Sequence, residues 1–134
     1  MSVQTAYTAR MLTAYAGQLA DLNPSRRVSK IAETTAIPYG RVVSRGTSDD
    51  QAVIGGTDHI GITVRDHAHE NAIGSESQQY AEKDVMSVLQ EGSIFLNLVT
   101  TGSPGDALYS VDADGTIGAG APGAGQTAIA GGTL

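Results

Sequence analysis

Residues 38–65 read PYGRVVSRGTSDDQAVIGGTDHIGITVR, two short apolar runs joined by a polar connection that contains glycine. In the second run, Ile60, Ile62 and Val64 alternate with smaller or polar residues. A period of two is typical of a half-buried strand, so these three side chains are predicted to share one face. The stretch therefore predicts the beginning of a small β-domain.

Short apolar runs with turn residues between them continue along the rest of the chain. We predict strands at 28–31, 41–44, 58–66, 84–89, 93–100, 107–111 and 127–130. The runs 84–89 and 93–100 are close enough to form a hairpin through a turn at Gly92. Many short strands with frequent turns favour an all-β fold, either a small β-barrel or a sandwich.

The N-terminal segment, residues 1–23, allows two interpretations. Tyr7, Met11, Tyr15 and Leu19 recur at every fourth position, as they would on one face of a helix. Intervening threonines and a glycine weaken the helical pattern, and no capping residue precedes it. An extended arm that orders on contact with a partner fits the segment as well, so both interpretations stay open.

Composition limits the possible functions. The 134 residues are expected to form one domain with a thin core, because the chain has 17 Gly, one Phe and no Trp. Residues 1–46 carry six basic and two acidic side chains, a balance of +4, whereas residues 47–134 carry two basic and twelve acidic ones, a balance of −10. An acidic body argues against binding nucleic acid, but the basic third suits an acidic protein surface or an acidic neighbouring copy.

Several classes of protein are disfavoured by what the sequence lacks. Without cysteine, disulfides and thiolate metal sites are excluded. The first residues do not combine a charged start with an apolar core, as a signal peptide does. No stretch approaches the roughly 20 apolar residues of a membrane helix. We therefore expect a soluble protein without an export signal and without a membrane partner.

Two glycine-containing patterns resemble ligand loops. The run at 118–123 matches G-x-G-x-x-G, but Pro122 stands where a helix should begin and the sequence continues for only 11 residues beyond Gly123. We interpret it as a glycine-rich loop. The run DADG at 112–115 resembles the start of a calcium loop but lacks the glutamate at the twelfth position. We predict a β-turn there, and no cofactor at either place.

Two polar patterns resemble reactive sites. His67 and His69 would lie on one side of a strand as a metal pair, yet the spacing marks no third ligand. Ser48, Asp49 and Asp50 could form a triad with a histidine, but no nucleophile elbow or oxyanion signature accompanies them. We interpret the first pattern as a solvated polar loop and the second as a turn rich in Asx side chains. The sequence therefore predicts no catalytic and no metal-binding residue.

A set of phrases occurs in a fixed order across residues 14–130. They are PYG at 38–40, RGTSDDQ at 45–51, GITVRDH at 61–67, Tyr80 with DVMSVL at 84–89, SIFL at 93–96 after the Gly92 turn, PGDALY at 104–109 and DG at 114–115. The ordered set resembles the structural cement, or head decoration, proteins of tailed bacteriophages. No single phrase is a catalytic motif, so the resemblance rests on the set.

The resemblance implies a virion protein on the outer surface of the capsid, made in the host cytoplasm. Such a protein would brace contacts between major capsid proteins without enzymatic activity and without a cofactor. The family implies a compact β-barrel or β-tulip core with an extended N-terminal arm, here residues 1–37 as the arm and capsid-contacting segment and residues 38–134 as the core. Homo-oligomers are implied too, with a trimer expected and a dimer as the alternative.

The arm and its basic residues are the expected contact with the major capsid protein. The predicted contact residues are Tyr7, Arg10, Met11, Tyr15, Arg26, Arg27 and Lys30. Two other functions remain as alternatives. One is a β-sandwich binding module for carbohydrate or a host surface, although the sequence has few aromatic residues for a platform. The other is a small hydrolase or metalloenzyme that uses the histidines and aspartates.

Overall fold

A computed structural model describes residues 14–21, 23–66 and 79–134, which contain ten strands and no helix. The prediction of an all-β fold is confirmed. None of the described residues forms a helix suited to crossing a membrane. The strands are β1 (Arg26–Ala32), β2 (Ile37–Pro38), β3 (Val42–Arg45), β4 (Gln51–Ile54), β5 (His59–Thr63), β6 (Gln79–Tyr80), β7 (Val85–Glu91), β8 (Ala107–Val111), β9 (Ile117–Ala119) and β10 (Gln126–Thr133).

Five strands form a closed barrel in the order β1-β4-β3-β5-β7. Strands β1 and β4 run parallel, and the other neighbours are antiparallel. The barrel closes where β1 pairs with β7, with Val28 opposite Val88 and Arg27 opposite Leu89. Closure satisfies the backbone on both sides of every barrel strand, so this part of the fold has no free sheet edge.

The interior of the barrel is filled by buried side chains that we call the barrel core. They are Ala32, Ile37, Tyr39, Val43, Ala52, Tyr80, Met86 and Val88. The short sheet β2–β6 brings Ile37 opposite Tyr80. The Tyr80 hydroxyl donates to the Val64 carbonyl at 2.6 Å, and its ring meets that of Tyr39 edge to face, with centroids 5.0 Å apart. Burial raises the pKa of Tyr80 to about 12.

A separate three-stranded sheet, in the order β10-β8-β9, lies beside the barrel. Successive strand residues point to opposite faces, so Val43 enters the barrel core while Val42 packs outside it. Val42 joins a cluster that we call the second core. Its buried members are Val42, Leu108 and Ile117, and its partly buried members are Ile62, Leu96, Leu98, Ala119 and Ile129. The second core therefore lies between the outer wall of the barrel and the three-stranded sheet.

The turn predicted at 112–115 is present and joins the sheet to the barrel. Gly115 has a φ of +68°. A side chain is excluded at this position, because a Cβ there would lie 2.4 Å from the Val42 carbonyl oxygen. The Gly115 carbonyl in turn accepts a hydrogen bond from the Val42 amide at 2.9 Å. Only glycine fits this left-handed, close-packed position.

Most predicted strands are confirmed, as parts of β1, β3, β5, β7, β8 and β10. The predicted hairpin between 84–89 and 93–100 is wrong. Residues 93–100 make only isolated bridges, from Ile94 to Leu19 and from Leu98 to Ile117. Strand β7 has β1 and β5 as its neighbours in the closed barrel, so it has no edge left to accept a hairpin partner.

The prediction that Ile60, Ile62 and Val64 share one face is also wrong. Ile60 packs against the barrel core, whereas Ile62 packs against the second core. The register of β3 with β5 shifts between Val43 and Ser44, as a bulge would make it. A bulge changes the direction in which the following side chains point. Strand β5 lies between the two cores, so side chains on both of its faces are packed.

The N-terminal part of the described chain is neither a helix nor wholly separate from the body. Tyr15 and Leu19 lie in an irregular segment, and Leu19 forms a bridge to Ile94. Tyr7 and Met11, the other members of the four-residue repeat, lie outside the described residues. Strand β1 falls within the range 1–37 that was predicted to be an arm, and β2 crosses the boundary of that range.

Candidate functional site

The polar patterns singled out in the sequence are engaged in local structure. Residues 48–50 lie in an exposed turn, where Asp49 and Asp58 flank the Arg45 guanidinium at 3.7 and 3.6 Å. Asp114 accepts hydrogen bonds from the Thr116 hydroxyl at 2.6 Å and amide at 3.0 Å, and these hold the pKa of its carboxyl below the usual range. Such local hydrogen bonds and ion pairs stabilise turns, as predicted for both segments.

No set of three or more potential metal ligands comes together within the ranges that the structure covers. Asp112, from the calcium-like run, accepts a hydrogen bond from the Thr127 hydroxyl at 2.8 Å and so ties its turn to β10. His67 and His69 lie outside the described residues. The run at 118–123 begins in β9 and continues into an exposed bend, in keeping with the glycine-rich loop that was predicted.

One pair that the sequence analysis did not find joins the barrel to the three-stranded sheet. The His59 Nε2 atom lies 3.0 Å from the Gly56 carbonyl and 2.9 Å from the Ser110 hydroxyl. Nε2 donates to the Gly56 carbonyl in the tautomer that carries its proton there, and it accepts from the Ser110 hydroxyl in the other tautomer. Ser110 is fully buried, so its hydroxyl is out of reach of a substrate. The two residues are 51 positions apart, and no local pattern in the sequence predicts their contact.

The segment 14–21, which we call the arm root, is fastened to the body by backbone hydrogen bonds. The Gly17 amide donates to the Phe95 carbonyl at 2.9 Å, and the Phe95 amide donates to the Gln18 carbonyl at 2.8 Å. The Arg65 amide donates to the Gly17 carbonyl at 2.7 Å. Gly17 has a φ of +82°, and a Cβ there would lie 2.9 Å from the Tyr39 Cβ, so this crossing requires glycine.

Tyr15 is the predicted contact residue that lies within the arm root. Its ring is 48% exposed, and the Arg65 guanidinium lies over it, 4.6 Å from the ring centroid. Arg65 also lies 5.7 Å from the centroid of Tyr39, which belongs to the barrel core. A cation stacked on an aromatic face is attracted by the ring quadrupole, so the stack orients Tyr15 at the surface.

The three predicted basic contacts of β1 differ in their surroundings. Arg26 pairs with Glu91 at 3.8 Å, with both side chains largely exposed. The Lys30 ammonium donates to the Asp49 carbonyl and is half-buried. Arg27 is exposed and makes no ion pair with any residue of the described ranges. Of the three, Arg27 is the cation most available to a partner.

A groove of about 830 Å³ opens beside the arm root. It lies between the end of β7, the connection after it and the end of β10. The lining consists of Ile62, Leu89, Gln90, Glu91, Gly92, Ser93, Ile94, Phe95, Leu96, Leu98, Leu108, Ile129, Ala130, Gly131, Gly132, Thr133 and Leu134. Phe95 is 37% and Leu134 is 43% exposed. Of the 17 lining residues ten have aliphatic or aromatic side chains, and Glu91 is the one with a charged side chain. The groove is therefore a mainly apolar surface that also contains polar groups.

The sequence analysis did not predict the groove, because its walls come from segments far apart in the chain. Leu89 lies near the end of barrel strand β7, Phe95 lies in the connection after that strand, and Ile129 belongs to the last strand. The sequence signal for the groove is the run 93–100, whose alternating apolar residues predict a strand rather than the wall of a groove. In the structure, Leu96 and Leu98 pack against the second core instead.

Comparisons with known proteins agree with the all-β fold. A search of the curated proteins gives no match. A solved structure titled "The capsid of Myoviridae Phage XM1" contains a chain of similar fold, with a TM-score of 0.73 and 20% sequence identity over 97% of this chain and 87% of that chain. The sequence model of the family described as "Structural cement protein (E217 gp24/Pam3 gp6)" matches residues 3–134. The chain therefore belongs to the structural cement protein family and is a structural protein of the bacteriophage capsid.

Proposed function

We propose that the chain binds the outer surface of the phage head and stabilises the contacts between major capsid proteins, without enzymatic activity. The observation that carries the proposal is membership of the cement family over residues 3–134. Cementing requires contact area and complementarity rather than a reactive group, since a stable interface buries on the order of 1,200 Å² or more. Bound copies stabilise the assembled shell by mass action, because they bind the lattice and not its dispersed subunits.

The proposed contact surface has two parts within residues 1–37. The first is the arm, with Tyr7, Arg10 and Met11 in the residues before the arm root and Tyr15 within it. The fastening of the arm root to residues 93–95 supports this part, because it fixes where residues 14–21 lie on the body. A segment that orders on contact can span a joint between shell subunits.

The second part is the basic strand β1, with Arg26, Arg27 and Lys30. The exposed Arg27 supports it most, since a cation without an ion pair among the described residues is ready to meet a carboxylate. Lys30 supports it least, because its ammonium is already bound to the Asp49 carbonyl. We propose a homo-oligomer on the shell, with a trimer favoured over a dimer by the family resemblance.

Binding to capsids that lack the cement protein tests the proposal. The purified protein is expected to saturate such capsids at a fixed ratio and to raise their melting temperature in calorimetry. A protein with residues 2–13 deleted keeps the arm root and the whole described body, so it should fold normally yet bind capsids more weakly. Absence of binding by the intact protein would contradict the function, whereas unchanged binding by the shortened one would contradict the role of the arm.

A further inference from the structure

The groove is the open end of the second core. Ile62, Leu96 and Ile129 belong both to that core and to the groove lining, and all three are only partly buried. Covering them would continue the packing that Val42, Leu108 and Ile117 already have. Burial of apolar surface is worth roughly 25 cal/mol per Å², so the groove favours an apolar occupant.

The rim of the groove carries the available cation of β1. Arg27 is directly opposite Leu89 in the closing strand pair of the barrel, and Leu89 lines the groove. Residues opposite each other in an antiparallel pair project from the same face, with Cβ atoms about 4.5–5.5 Å apart. The Arg27 side chain therefore leaves β1 on the same face as Leu89, next to the groove. In this position it suits an occupant that carries a carboxylate.

The lining also contains an unsatisfied hydrogen-bond acceptor. The side-chain oxygen of Gln90, Oε1, is buried and has no hydrogen-bond partner among the described residues. Gln90 lies in the groove lining beside Leu89 and Glu91. A buried polar atom without a partner destabilises the free protein, and an N–H group of an occupant would remove that cost once the Gln90 side chain turns its oxygen towards the groove.

We propose that this groove receives an extended apolar segment of a capsid-shell protein, which pairs a carboxylate with Arg27 and donates a hydrogen bond to Gln90. The inference rests on the proposed function. The groove is continuous with the proposed contact surface, because Phe95 forms its wall and is also hydrogen-bonded to the arm root. A second copy is a poorer occupant, since docking would bring together two chains that each have a net charge of −6.

Capsids that lack the cement protein are the probe for this inference. Phe95→Ser removes an exposed apolar wall, so we expect capsid binding to weaken about tenfold or more. Arg27→Ala should weaken it about threefold to fivefold, and the difference from the intact protein should shrink at high salt. Val85→Ser is the matched control, because Val85 is 56% exposed at the other end of β7 and outside the groove lining, and it should bind normally.

Gln90→Met separates a docking role from a purely structural one. The substitution removes the unsatisfied oxygen while keeping the side-chain length, so the free protein should melt at the same or a higher temperature. The same variant can no longer accept a hydrogen bond from an occupant, so capsid binding should weaken about fivefold. A structural role alone would not make a more stable variant bind less well.

The outcomes distinguish the inference from the function on which it rests. If the intact protein does not bind capsids, the proposed function fails. If the intact protein binds and the Phe95, Arg27 and Gln90 variants bind equally well, the groove inference is overturned and the function stands. If the Phe95 variant changes the sedimentation of the free protein but not capsid binding, the occupant is a second copy, which also overturns the inference.

Discussion

The barrel core is enclosed by five strands that close on themselves, whereas the second core is covered by a three-stranded sheet and opens at one end into the groove. Tyr80 and Ile37 in the first are 0% and 1% exposed, while Ile62 and Ile129 in the second are only partly buried. Apolar side chains inside the closed barrel stabilise the isolated chain. Apolar side chains at the open end of the second core would be buried only when a partner covers them. We therefore predict that folding depends mainly on the barrel core, whereas the second core supplies the proposed docking groove.

The same chemical change in each core gives the largest expected contrast. Ile37→Ala should lower the free energy of unfolding by about 2–5 kcal/mol, because it leaves a cavity inside the closed barrel. Ile129→Ala should cost about 1 kcal/mol, since solvent already reaches that side chain and the removed methyl groups lose less. Chemical denaturation of both variants measures the difference, and equal costs would show that the two cores do not differ in enclosure.

Titration of Tyr80 tests the enclosure of the barrel core with pH. Its pKa of about 12 lies above the usual value of 10, so the folded state keeps a proton that the unfolded chain releases. The resulting stability is complete below pH 10 and is lost as the pH rises towards 12, with a loss of about 2–3 kcal/mol. Denaturation midpoints measured from pH 8 to 12 should show it.

Substitutions identify the group responsible for that alkaline loss. Tyr80→Phe should cost about 1 kcal/mol at neutral pH, because the bond to the Val64 carbonyl is lost, but it should flatten the decline above pH 10. Tyr15→Phe is the control, since Tyr15 is half exposed, and it should leave the decline unchanged. A decline of the same size in the Tyr80 variant would assign the effect to another group.

The polar contact between the two regions gives the smallest expected effect. Ser110→Ala removes the hydroxyl that lies 2.9 Å from the His59 Nε2 atom, and the imidazole keeps its bond to Gly56. The expected cost is about 1 kcal/mol, as for a typical buried hydrogen bond. Ser103→Ala, at an exposed turn, should be neutral in the same denaturation experiment. A cost above that of Ile37→Ala would mean that this joint, rather than the barrel, limits stability.

The sequence predicts the all-β class and most strands, because period-two alternation and turn residues are local signals. Strand β4, Gln51–Ile54, was taken for part of a polar connection, since its four residues are too short to show a period. The hairpin at 93–100 was wrong because pairing depends on which edges remain open. Barrel closure had already used both edges of β7, and closure is a property of the whole chain.

The candidate site was less predictable than the fold. Arg26, Arg27 and Lys30 were found by charge. Their different surroundings depend on contacts with Glu91 in β7 and with Asp49 in the turn before β4. The groove could not be predicted, because its lining is gathered from β5, β7, β8, β10 and the connection after β7. Local patterns indicate residue types, whereas availability to a partner is decided by the tertiary neighbours.

Closure of the barrel also has a kinetic consequence. Strands β1 and β7 join residues as far apart as Arg26 and Glu91, so their pairing must close a long loop before it gains stability. Chains with such distant pairings fold in roughly milliseconds to seconds, and stopped-flow tyrosine fluorescence should record a slow phase in that range. Arg27 and Leu89 face each other across this same seam. An incompletely folded copy would lack the finished groove, so we predict that capsid binding follows barrel closure.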